Sequence, residues 1–354
     1  MELNDLRRRV DALDAQIVRL LNERAEVARQ IGHVKEQDNA PVFKPAREAE
    51  VYAKVTGLNE GPLADASVRA VYREIMSGCL ALEKPLRVCY LGPEGTFTYS
   101  AARSKFGDSI TYVPATTIND VFGEVEKGRA DYGVVPVENS TGGGIHETLT
   151  RFLDSPLVVC AEIVMGIHHA LMARCPTEEI RRVYSRPQVF AQTRKWLQDH
   201  MPDIEQIPAS STSAAAELAS QEDGAAAIGN ASLAARNGLA VLSDHIEDYV
   251  HNVTRFFVLG RHASEPTGDD KTAVLCNVKD KVGALHDLLE PFKEYAINMT
   301  KIESFPSPTH AWQYLFFIDF LGHPSEENTQ KALTKMEDEC LLLKVLGAFP
   351  RSDG

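Results

Sequence analysis

The chain has 354 residues, too long for one ordinary domain, and its 44% hydrophobic and 25% charged content is that of a water-soluble globular protein. A net charge of −13 argues against a nucleic-acid binder, and no apolar run reaches the length of a bilayer span. Six scattered cysteines without a CxxC pair read as reduced thiols. A metal site or cofactor is not expected, the N-terminus is no signal peptide, and the expected location is the cytoplasm.

The first segment, residues 1–84, is all-helical in pattern. Leu6, Val10, Leu13, Ile17, Leu20, Val27, Ile31 and Val34 recur at alternating spacings of four and three, which predicts one buried face on a helix over residues 3–36. Pro41 and Pro45 break it, a second helix opens at Pro45, and a third runs over "DASVRAVYREIMSGCLALE" with Asp65 as its cap. The third helix buries Val68, Tyr72, Ile75 and Cys79, then Leu82 or Glu83. A helix this long needs a partner along its whole seam, and a helical dimer supplies one.

Arg24 interrupts the apolar seam. A seam arginine that snorkels or pairs with an acid is the plain reading. Lys35 lies near the same face, however, while Arg47 and Glu48 are expected to face inward one turn before Val51 and Tyr52. Residues 1–84 carry 13 Lys/Arg against 14 Asp/Glu, so the negative excess lies almost wholly beyond them. Cations and a carboxylate converging on a helical interior suit a small di-anionic ligand. Arg7 is seventeen positions from Arg24, about 26 Å along the axis at 1.5 Å per residue. To share one ligand, it must come from an antiparallel second subunit.

From Pro85 the period changes. "RVCYLG", "YGVVPVE", "LVVCAEIVM", "RVYSR", "AAAIGN" and "TRFFVLGR" are short β-rich runs, and "TINDVFGEVEKG" and "STSAAAELASQ" are helical. This is an α/β domain over residues 86–262, with ligands expected at strand ends and helix N-termini. "VPVENSTGGG" places Glu138, Asn139 and Ser140 at a strand end before three glycines, a turn whose N–H groups suit an anion. Thr254 enters a strand in "HNVTRFF", and His168 and His169 read as surface and core neighbours rather than ligands. After the polar linker "ASEPTGDD", residues 271–354 follow the order βαββαβ, a ferredoxin-like unit.

"LGPEGTFT", "VPVENS", "YSRPQVFAQ", "STSAA", "AAIGN" and "NVTRF" together resemble prephenate dehydratase. "LRRRVDALDAQIVRLLNERAEVARQIGHVK" with "PAREAEV" is similar to the all-helical chorismate mutase, and "GALHDLL" and "IESFP" resemble the phenylalanine-sensing motifs of an ACT domain. The whole chain thus resembles the bifunctional family that rearranges chorismate to prephenate and converts prephenate to phenylpyruvate, under phenylalanine feedback. The resemblance implies an intertwined helical mutase dimer or a larger homo-oligomer, a two-subdomain α/β dehydratase and an ACT unit.

It also implies roles. Arg24 and the partner-supplied Arg7 would hold the carboxylates of chorismate, and Lys35 and Glu83 the breaking ether oxygen. Arg47 would contact a carboxylate, Glu48 the ring hydroxyl, and Cys79, where a serine can stand, a carboxylate. Lys44 occupies a position where an aspartate can stand. In the dehydratase, Thr254 would donate to the leaving hydroxyl with Glu138 as a proton source behind it. Asn139, Ser185 and Gln192 would contact substrate, and Arg186 replaces a common histidine. Gly283, Ala284, Leu285, Glu303 and Ser304 would hold phenylalanine, with Phe305 in place of an arginine. Two other readings stay open from sequence. One is a dehydratase with a purely structural helical dimerisation segment, and the other a non-catalytic metabolite sensor.

Overall fold

The computed structural model describes residues 2–37, 41–249, 251–279, 281–308 and 313–352. Helix α1 (Leu3–Gln37) is continuous, followed by α2 (Pro45–Gly57), with Pro45 in its first turn, and α3 (Asp65–Glu83). Its seam is not buried within the chain: Leu6 to Val34 are 44–57% exposed, and the buried residues of α1 are Ala28 and Gly32. The expected burial therefore fails in one chain because α3 packs on the flank of the seam, over the C-terminal half of α1. On α3 the choice between Leu82 and Glu83 falls to Glu83, since Leu82 is exposed.

The α/β region runs β1 (Arg87–Leu91), α4 (Phe97–Phe106), β2 (Thr111–Ala115), α5 (Ile118–Glu126), β3 (Tyr132–Asn139), β4 (Gly143–Gly144), α6 (His146–Arg151) and β5 (Val158–Gly166). It continues through β6 (Ala170–Ala173), β7 (Arg182–Ser185), α7 (Pro187–Gln192), α8 (Arg194–His200), β8 (Glu205–Pro208), α9 (Thr212–Gln221), β9 (Ala225–Gly229), α10 (Ser232–Arg236), β10 (Ala240–Ser243) and β11 (Val253–Gly260). Two sheets result. One has the order β2-β1-β3-β11-β5 with β4 on β3, and the other β10-β6-β9-β7-β8. The chain passes to the second sheet after β5 and returns with β11, which inserts antiparallel between β3 and β5. That return brings Thr254 opposite Asn139.

The C-terminal unit is β12 (Asp270–Val278), α11 (Ala284–Glu294), β13 (Met299–Pro306), β14 (Tyr314–Leu321), α12 (Glu327–Glu339) and β15 (Cys340–Pro350), with sheet order β13-β14-β12-β15. The strand expected from Ala311 has its first residues, Ala311 and Trp312, outside the described residues. One sheet face carries Cys276, Ile318 and Phe320 against Leu288 and Phe292 of α11. The other carries Phe305, Phe317 and Phe349 into a core shared with Phe152 and Phe257 of the α/β region. The expected linker is tied down. Ser264 is buried, its carbonyl meets His323 Nε2, and Asp270 accepts from Thr267.

Candidate functional sites

In the helical segment the sequence-derived residues divide into two groups. Arg24 Nη1 donates to Cys79 Sγ at 2.9 Å, and Lys35 Nζ donates to Glu83 Oε2 at 2.8 Å and to the Val42 carbonyl at 2.9 Å. These four residues form one line along the α1–α3 contact, with Gly32 at its closest approach: a Cβ there would lie 2.9 Å from Glu83 Cα. A cavity of about 250 Å³ opens beside Lys35 and Glu83, closed on its far side by Asp131, Tyr132, Arg261 and His262 of the α/β domain.

Arg47 and Glu48 do not join them, a correction to the expectation that both face the helical interior. Arg47 is 70% exposed in its side chain and pairs with Glu50 at 2.7 Å. Glu48 is buried, but against Lys105 of α4 at 2.5 Å. The reason is that α2 docks on the α/β domain: Phe43 packs with Phe106 and Tyr132, the Phe43 carbonyl accepts from Tyr132 Oη, and Lys44 pairs with Glu265. Arg7 is exposed on α1, well away from Arg24.

The second site lies between the two α/β sheets, where β3 and β11 end. Thr254 is buried, and its Oγ1 accepts from Asn139 Nδ2 at 2.8 Å. Asn139 Oδ1 in turn accepts from the N–H groups of Thr141 and Gly142 and from the Thr141 hydroxyl. Gln192, from the second sheet's side, donates to Thr141 Oγ1 at 3.1 Å, and its Oε1 lies 2.8 Å from His169 Nε2. Every donor therefore runs one way, from His169 through Gln192, Thr141 and Asn139 to Thr254, whose own O–H is left for a ligand. The chain needs a proton on His169 Nε2, and burial lowers the pKa of His169 from 6.5, which favours the neutral ring. Phe97 closes the wall edge-on to His169, with ring centres 5.6 Å apart. The two halves also meet where Ser213 Oγ donates to the Glu94 carbonyl and Asn230 to Ser100.

Two expected members are displaced. Glu138 cannot stand behind Thr254 as a proton source. It pairs across the strands with Arg255, so its side chain leaves the opposite face of the sheet and meets Lys301 of β13 at 2.7 Å. Ser185 is fully buried and spends its hydroxyl proton on the Ile228 carbonyl at 2.7 Å, tying β7 to β9 rather than facing a substrate. Arg186 is exposed, at the start of α7. Thr141 and Asn252 escaped the sequence reading, which took His168 and His169 as surface and core neighbours; His169 is indeed buried, but within this hydrogen-bond chain. Only Asn252 had a signal there, two residues before Thr254 and so on the same strand face.

In the C-terminal unit, Ser304 pairs with Phe316 on the face that carries the two helices, the face of Gly283, Ala284 and Leu285 at the start of α11. Gly283 holds φ 83°, a left-handed turn that suits glycine. Glu303 does not share that face. It accepts from the Gly144 N–H at 3.2 Å, meets His146 Nε2 at 2.9 Å and pairs with Lys301 at 3.0 Å. Phe305 is likewise buried against the α/β domain, stacked on His146 at 4.8 Å. Between the units, Arg255 is buried with Glu162 at 2.8 Å and with Asp319 of β14.

A helical unit with Arg24 and Lys35 along a groove, a two-sheet α/β unit and a βαββαβ unit make this a multidomain chain. Family models match all three: chorismate mutase type II over residues 6–84, prephenate dehydratase over 88–264 and ACT domain over 272–338. The bifunctional chorismate mutase/prephenate dehydratase of Pseudomonas aeruginosa is 44% identical, with 99% of this chain and 98% of that protein covered. The bifunctional protein of the same name from Aquifex aeolicus is also 44% identical, with the same coverage. The crystal structure of a prephenate dehydratase from Arthrobacter aurescens in complex with L-Phe superposes with a TM-score of 0.69 at 34% identity, covering 76% of this chain and 91% of that one. The chain belongs to the family of bifunctional chorismate mutase/prephenate dehydratases. Among the described residues no helix is long and apolar enough to cross a membrane, and no group of three or more His, Cys, Asp or Glu could hold a metal ion.

Proposed function

We propose residue roles for the two activities that family membership brings: an isomerase turning chorismate into prephenate, and a lyase turning prephenate into phenylpyruvate, in phenylalanine biosynthesis. The mutase reading is carried by Arg24 and Lys35, two cations held in the α1–α3 groove by a thiol and a carboxylate. The rearrangement is unimolecular, so a folded substrate and fixed donors at the breaking ether oxygen suffice, and no nucleophile is required. Arg24 binds a substrate carboxylate. Lys35 holds the ether oxygen, with Glu83 beside it. Cys79 sets the direction of Arg24.

The uncovered α1 seam supports a homodimer. Two α1 helices laid antiparallel would cover the seam from Leu6 to Val27 and carry Arg7 of one copy to Arg24 of the other. Mixing inactive Arg7→Ala and Arg24→Ala proteins should regain mutase turnover through hybrid sites, with each parent retaining dehydratase activity. Mixtures that stay inactive would refute the shared site.

For the lyase, Thr254 donates to the leaving hydroxyl, Asn139 holds Thr254, and Gln192 with Thr141 closes the cleft around the substrate. Phenylalanine binds the helix face of the ACT unit at Gly283–Leu285 and Ser304, and Glu303 and Phe305 pass the effect to the Gly143–His146 turn. Five buried cysteines and the partly buried Cys175, all free, suit a reducing cytoplasm. The test is conversion of chorismate to phenylpyruvate by the purified chain. Prephenate accumulating as end product would refute the lyase reading, and inert chorismate the mutase reading.

A further inference from the structure

The hydrogen bonds around Thr254 also fix the orientation of a second donor beside it, the amide of Asn252. Asn139 Oδ1 accepts two backbone N–H groups, each at 3.0 Å, which identifies that atom as oxygen. The other end of the amide is therefore the nitrogen, 2.8 Å from Thr254 Oγ1 and 2.9 Å from Asn252 Oδ1. Both its hydrogens are used, and both partners are acceptors in these bonds. The hydroxyl proton of Thr254 and the NH2 of Asn252 must then point away from Asn139. Asn252 is 2% exposed, and its Nδ2 has no hydrogen-bond partner among the described residues. A buried amide donor without a partner calls for an explanation. Residues 252 and 254 share one face of the chain entering β11, the face of Asn139, while Arg255 turns toward the ACT unit.

We infer that Asn252 is a catalytic residue, its Nδ2–H and the Thr254 O–H forming a two-donor seat for the leaving hydroxyl oxygen. This rests on the cleft being the prephenate site. In the reaction the bond from the ring to its carboxylate breaks and its electron pair enters the ring. The ring's displaced pair moves on as the C–O bond breaks, so carbon dioxide and hydroxide depart and the ring becomes aromatic. Negative charge grows on the departing oxygen only in the transition state, so donors aimed there act on kcat more than on KM. A threonine hydroxyl is too weak an acid to carry that charge alone, and one amide, Asn139, sets both donors.

The test separates donating from accepting. Asn252→Asp keeps the oxygen that Asn139 needs and removes the donor, whereas Asn252→Ala removes both. Asn252→Ser places there a hydroxyl that both accepts and donates. With prephenate as substrate and full-length protein, the Asp and Ala variants should each lose about a hundredfold or more in kcat, the scale of one transition-state donor. The Ser variant should recover at least about tenfold over Ala. Mutase turnover of chorismate on the same chain reports folding. An Asp variant within about tenfold of wild-type kcat, or one changed in KM alone, overturns the inference. If the Asp variant loses mutase turnover as well, the Ser-to-Ala comparison decides, and Ser no better than Ala overturns the inference. The cleft itself fails on a different result, full dehydratase activity in Thr254→Ala.

Discussion

Replacing Gly32 by alanine tests whether the α1–α3 contact holds the mutase groove in register. A Cβ at that position would sit 2.9 Å from Glu83 Cα and Cβ and 3.0 Å from its Cγ. The nearest atom is backbone, so no rotamer change relieves it, and α3 must move away. Two terms oppose each other in stability. Alanine favours the helix over glycine by about 1 kcal/mol, and overpacking costs about 1–3 kcal/mol. The net effect lies between about zero and 2 kcal/mol of destabilisation, small enough for the chain to fold. The effect on chemistry is larger, because the same shift draws Glu83 and Cys79 away from Lys35 and Arg24, now 2.8 and 2.9 Å apart. A displacement of about 1 Å in a positioning group costs about a hundredfold in rate. Mutase kcat on chorismate should fall by about that factor, with dehydratase kcat on prephenate unchanged as the internal control. Mutase kcat within about threefold of wild type would show that the groove does not depend on this contact, and the reasoning would fail.

Thr254→Ala should remove dehydratase turnover and leave the mutase intact, while Thr254→Ser should retain part of it; equal loss in both would make the residue structural. Glu138→Gln breaks the ion pair with Lys301 but leaves the cleft, so kcat on prephenate should stay within about threefold while the phenylalanine dose–response shifts. A hundredfold loss of kcat would return Glu138 to the catalytic site. His169, its pKa lowered by burial, stays neutral in the fold while the unfolded chain takes up a proton as pH drops below 6.5. Its contribution is therefore full above that value and lost as pH falls toward the lower folded pKa. Urea unfolding at pH 7.5 and 5.5 should show wild type losing more stability than His169→Gln between the two; equal losses would refute the assignment.

Much of the architecture was legible without coordinates. The four-and-three spacing of α1, the change to short β-rich runs at Pro85 and the βαββαβ order of the last segment all follow from local periodicity, which the backbone imposes on any chain. Periodicity also sets Cys79 and Glu83 one turn apart on the third helix, although their pairing with Arg24 and Lys35 across 55 and 48 residues is a matter of packing. What periodicity does not state is the partner of each face. The α1 seam and the Glu48 face are both apolar stripes by pattern, yet the single chain leaves one open and docks the other on the α/β domain. Which of these happens depends on contacts far apart in sequence, such as Phe43 with Tyr132 and Lys44 with Glu265.

Glu138 and Asn139 carry the same lesson at one-residue resolution. Their adjacency in "VEN" suggested a shared site, but a strand sends neighbours to opposite faces, and only one could look into the cleft. The docking of the ACT sheet decided which, because it covers the face of Glu138 and Arg255 and supplies Lys301 and Asp319 to their charges. The roles of His169 and Asn252 stayed hidden for a related reason. A buried histidine and a strand-entry asparagine are ordinary residues in sequence. They join one hydrogen-bonded cluster only where the return of β11 sets Asn252 beside Asn139 and the second sheet brings Gln192 between His169 and Thr141. Local sequence selects helix, strand and the face a residue occupies, whereas a hydrogen-bonded site needs donors and acceptors within about 3 Å, a distance that long-range packing alone sets.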